Sequence, residues 1–157
     1  MITNNNKLVI NLSEDLAVIL NKISESVKED IYISRTNLLE KSLLDTTIHL
    51  KYLQILYDII AKINELKSEK ENINNSVNNV KINVKINNNL QLQNTTENGI
   101  KNKILETQRL RNRLTEIESE LKKLEIINNF LVNICQICSR LTFQIKNITE
   151  LLKIDNV

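Results

Sequence analysis

The chain has 157 residues, with 21 Lys and Arg against 19 Asp and Glu, for a formal net charge of +2. It contains no proline, no tryptophan and one glycine, while 25 Asn, 24 Ile and 23 Leu dominate. So few turn formers disfavour a β-sandwich, a barrel and a Gly-rich nucleotide-binding fold. Collagen-like and disulfide-scaffold compositions are excluded as well, and the net charge is too small to announce a nucleic-acid surface. What remains is one or two small domains built from few, long elements, mainly helices.

Residues 7–13 read Lys-Leu-Val-Ile-Asn-Leu-Ser. Leu8, Ile10 and Leu12 alternate with Lys7, Val9 and Asn11, which predicts a short strand. Ser13 before Glu14 and Asp15 is an N-cap signal. Leu16, Leu20, Ile23 and Val27 then step by four, three and four, one apolar stripe of a helix that should fray near Lys28–Asp30. Ser34 is a second cap signal, followed by Leu38, Leu39, Leu43 and Leu44.

From there a heptad takes over: Tyr52, Leu56, Ile59, Ile63 and Leu66, then Ile73, Val77, Val80 and Val84. One helix from about 35 into the seventies or eighties is expected. Residues 71–98 hold eleven of the asparagines. Here Val80–Ile86 and Leu90–Gln93 also alternate with period two, so a β-hairpin over 87–89 competes with helix to about 84 and an irregular connector near 85–99. The stripe returns from Ile104 to Leu152. Its steps of four and three break only at Leu121, Leu124 and Ile127, where adjoining threes mark a stammer. So long a stripe needs a partner, and an antiparallel helical hairpin with the 35–84 helix is expected, completed by a second chain.

The first fifty residues resemble the ribbon-helix-helix (MetJ/Arc/CopG-like) family of DNA-binding proteins. The resemblance rests on the alternating strand ending Leu12-Ser13-Glu14, the amphipathic helix after it, and Ile33-Ser34-Arg35-Thr36-Asn37-Leu38, which is similar to the family's second-helix opening. It implies a mainly α fold with one short strand paired between two chains, residues 1–50 as the dimerisation and DNA-binding module, and 51–157 as the coiled-coil hairpin. It further implies that Lys7, Val9 and Asn11 read bases in the major groove, while Ser34, Arg35 and Thr36 hold a phosphate. The partners would be DNA and a second copy through the strand, with a tetramer or a protein partner through the coil. Repression and plasmid or phage maintenance are the roles implied. The rival reading is a structural or adaptor coiled coil whose N-terminal module only dimerises.

Other residues invite chemistry. Cys135-Gln136-Ile137-Cys138 has the spacing of a metal or redox half-site, yet Cys138 lies on the apolar stripe, and core packing competes with both. His49 is the single histidine and has no catalytic constellation beside it. Arg109, Arg111, Arg113, Lys101 and Lys103 face only Glu106 over 99–114, either a phosphate stripe or a solvated helix face. Asn128 stands where the first heptad register would continue, and either sets register or faces water. No enzyme activity, cofactor or metal is expected. No apolar run nears the roughly 18 residues of a membrane span, and the N-terminus lacks a signal-peptide layout. A cytoplasmic protein associated with nucleoid or plasmid, without membrane contact, is the expectation.

Overall fold

The computed structural model describes residue 8 and residues 10–32, 38–89 and 97–154. Among the described residues there are three helices: α1 (Leu16–Ile31), α2 (Leu38–Asn89) and α3 (Glu97–Ile154). They contribute to two compact units, one of residues 1–59 with 126–157, the other of residues 60–125.

No strand occurs among the described residues. This overturns the ribbon expected at 7–12, and with it the ribbon-helix-helix fold. The physical reason lies in the backbone. A lone strand must find a ladder partner for its N–H and C=O groups, whereas from Asn11 onward the chain turns and bonds to itself. Residues Leu12 and Ser13 form a turn, Glu14 N–H donates to the Asn11 carbonyl at 3.1 Å, and Ser13 N–H donates to Asn11 Oδ1 at 3.1 Å. The alternation still sorts side chains: Leu8, Ile10 and Leu12 are half-buried and Asn11 is exposed.

Helix α1 starts two residues later than Ser13 suggests. Asp15 is the cap, its carboxylate accepting from Ala17 N–H at 3.0 Å. The helix continues to Ile31 instead of fraying at 28–30, with Lys28 in its last turn where the dipole favours a cation. Its deepest row is Ile19, Ile23 and Val27, and Leu16 and Leu20 are only half-buried. All five belong to one broad apolar arc, with Ile19 at one edge and Leu20 at the other.

Helix α2 buries the heptad residues Tyr52, Leu56, Ile59, Ile63 and Leu66, then Val77. It runs through the asparagines to Asn89, so the β-hairpin alternative fails at 80–89, where the chain is helical. Asparagine costs only a few tenths of a kcal/mol per helical position, too little to stop a helix already propagating. Gly99 lies in the first turn of α3 and is not a reversal point. Along α3, Ile117, Leu121, Leu124, Ile127, Leu131, Ile134, Cys138 and Ile145 are buried. Burial on both sides of Leu124 shows the stammer is built into the packing. Each such aliphatic side chain contributes about 1.5–3 kcal/mol of apolar burial.

Candidate functional site

The first unit is tied together by a polar node at the edge of its core. Tyr52 occupies an apolar heptad position of α2 and is fully buried, so its hydroxyl requires a partner. It donates to Asp30 Oδ2 at 2.6 Å and lies 3.3 Å from Ser26 Oγ, both on α1. Lys51 Nζ donates to the same Asp30 oxygen at 2.7 Å and to Ser26 Oγ at 2.9 Å. Burial, followed by the Asp30 hydrogen bond, pushes the Tyr52 phenol well above the usual tyrosine range. An ordered, protonated phenol bonded to a carboxylate fixes the pairing of α1 with α2. It offers no nucleophile.

In the second unit ion pairs join α2 to α3 beside the buried apolar stripe. Arg113 of α3 donates from Nε to Glu69 Oε1 at 2.8 Å and from Nη2 to Oε2 at 3.1 Å, a bidentate pair with α2. It also reaches Glu116 at 3.2 Å, and Lys70 pairs with Glu118 at 2.9 Å. Hydrogen bonding to Arg113 holds the Glu69 carboxyl below the usual range, and Lys70 does the same for Glu118. These pairs set register. Exposed as they are, each adds little stability.

Of the sequence-predicted site residues only Asn11 lies among the described residues. Asn11 is exposed, and its Oδ1 accepts from Ser13 N–H and, at 2.6 Å, from Ser13 Oγ–H, ordering the turn before α1. Lys7, Val9, Ser34, Arg35 and Thr36 lie outside the described residues. Without a β-ribbon the major-groove reading has no element to carry it. Sequence-specific DNA binding by that mechanism is therefore set aside, together with a homodimer formed through the N-terminal strand.

Cys135 and Cys138 are free thiols buried in the first unit, and burial pushes the Cys135 thiol up. Among the described residues no group of three His, Cys, Asp or Glu could hold a metal ion. His49 is half-buried on α2. Asn128 is half-buried, and its Oδ1 is fully buried without a hydrogen-bond partner. No helix among the described residues is long and apolar enough to cross a membrane.

One surface carries no sequence motif. Between 126 and 148 only Arg140 and Lys146 are charged, whereas 97–125 of the same helix carries thirteen charged residues. On this charge-poor stretch Ile126, Ile137, Phe143 and Ile148 are all exposed, by 47%, 42%, 66% and 44%. The isoleucines share one face with half-buried Phe130 and Leu141 at steps of four and seven. That is a second apolar stripe on α3, outside the buried one. Its signal in the sequence was the missing charge, which periodicity counts ignore.

Fold and surfaces together define the class: the described residues form an all-helical protein whose organised side chains hold helices together and whose outer apolar stripe on α3 is exposed. Comparison with protein-family models, curated proteins and solved structures returned no match to this chain.

Proposed function

We propose that the protein is a structural or adaptor coiled-coil protein without enzymatic activity, and that it holds an amphipathic helix of a protein partner on the outer stripe of α3. The observation that carries this is the pairing of charge depletion with exposed Ile126, Ile137 and Ile148 on one helix face. Solvated helix faces are normally charged, and interface centres are depleted of charge. A helix-in-groove or helix-on-helix contact reads such a face through anchors one and two turns apart.

The test compares the wild-type chain with the double variant Ile137→Lys/Ile148→Lys in co-purification from the native source. The expected result is a defined partner retained by the wild type and lost by the variant, with unchanged helical circular dichroism. An identical retained set for both proteins would refute the assignment.

A further inference from the structure

Arg140 of α3 is exposed, and its helical neighbours at three and four residues are Gln136, Ile137, Phe143 and Gln144. All four are exposed and none carries a charge. Asn133 and Asn147, two turns away on the same side, are exposed and uncharged as well. At about 100° per residue, Arg140 stands roughly 60° from Ile137, on the side away from buried Leu131, Ile134 and Cys138. The nearest acids along the helix are Glu150, ten residues on, and Glu125, fifteen residues back. Those separations are about 15 and 22 Å along the axis, beyond the reach of an ion pair. No ion pair engages Arg140 among the described residues, whereas Arg113 of the same helix is held by Glu69 and Glu116.

We infer that the helix seated on the outer stripe of α3 is acidic along one flank and presents a carboxylate to the guanidinium of Arg140. The inference rests on the reading of that stripe as a docking face and names the chemistry of its occupant. Charge complementarity chooses it. From 126 to 148 the helix carries cations and no acid, so a partner flank of glutamate or aspartate meets no like charge there, and a basic flank is repelled. The residue type agrees. A guanidinium is weakly hydrated and pairs with a carboxylate through two parallel N–H donors. Arginine and aromatic side chains also supply most of the binding energy where charge is otherwise sparse, and Arg140 stands midway between exposed Ile137 and Phe143.

The experiment uses two synthetic helical peptides of roughly 23 residues, about 35 Å long, to match the stripe. Both carry isoleucines at alternating steps of four and seven, and they differ only in their flanking residues, glutamate in one and lysine in the other. Each is labelled and titrated with the full-length chain by fluorescence anisotropy. The glutamate peptide should bind about tenfold more tightly. Arg140→Gln should abolish that preference and Arg140→Glu should reverse it. Lys146→Gln should leave it unchanged, because Lys146 lies about half a turn from Ile137. Arg140 and Lys146 are exposed, so helical circular dichroism and melting temperature should not move. Equal binding of the two peptides would overturn the inference and leave the docking face standing. So would a preference that survives Arg140→Gln, or one that Lys146→Gln also removes. Binding of neither peptide, or binding untouched by Ile137→Lys/Ile148→Lys, would remove the docking face and this inference with it.

Discussion

Tyr52 of α2 donates its hydroxyl hydrogen to Asp30 of α1 across 2.6 Å, and with Lys51 on the same carboxylate it ties together the faces on which the two helices meet. Replacing Tyr52 by Phe keeps the ring and removes the donor. The cost should be about 1–2 kcal/mol of stability, measured by urea unfolding. The phenol is raised by burial and by Asp30. Its unfolded form therefore loses its proton first as pH rises through about 10. Stability is fully present below that value and declines above it. Tyr52→Phe should remove this alkaline component, and an unchanged alkaline profile would contradict the assignment.

Asn128 leaves a buried amide oxygen without a hydrogen bond. An unsatisfied buried acceptor costs about 1–3 kcal/mol, and Asn128→Leu should relieve it by restoring an apolar residue beside the stammer. Thermal or chemical denaturation should show a gain of about 1–2 kcal/mol. A loss would mean that the amide is satisfied in solution and that leucine does not fit.

Cys135 and Cys138 should react as core residues. Burial raises the Cys135 thiol, and Cys138 is 2% exposed, so thiolate and access are both scarce. Ellman's reagent at neutral pH should label the native chain slowly and the denatured chain completely. Rapid labelling of the native protein would reopen the redox reading.

The Glu69–Arg113 and Glu118–Lys70 pairs lower their carboxyls relative to the unfolded chain. Such groups stabilise above the ordinary glutamate range, and the contribution is lost as pH falls through their lowered values. The melting temperature should drop in that acid window. Glu69→Gln should flatten part of the drop while lowering stability modestly at neutral pH.

The helices were legible in the sequence because a stripe such as Tyr52, Leu56, Ile59, Ile63 and Leu66 has no other physical explanation. The stammer at Leu121–Ile127 was legible for the same reason. The N-terminal segment was misread because Leu8, Ile10 and Leu12 alternate whether or not a ladder partner exists, and period two reports side-chain sorting, not hydrogen bonding. The single glycine, Gly99, is absorbed in the first turn of α3, since a glycine tolerates a turn without requiring one. The interaction faces were hidden because they depend on which of two apolar stripes is left outside: Ile137 and Cys138 are adjacent, and only packing separates them.

The most direct test of the adaptor reading is a photo-crosslinking amino acid placed in living cells at Ile137 and, as a control, at exposed Lys67 of α2. A discrete crosslinked protein species at 137 and none at 67 is the predicted result. No adduct at 137, or the same adducts at both positions, would contradict it.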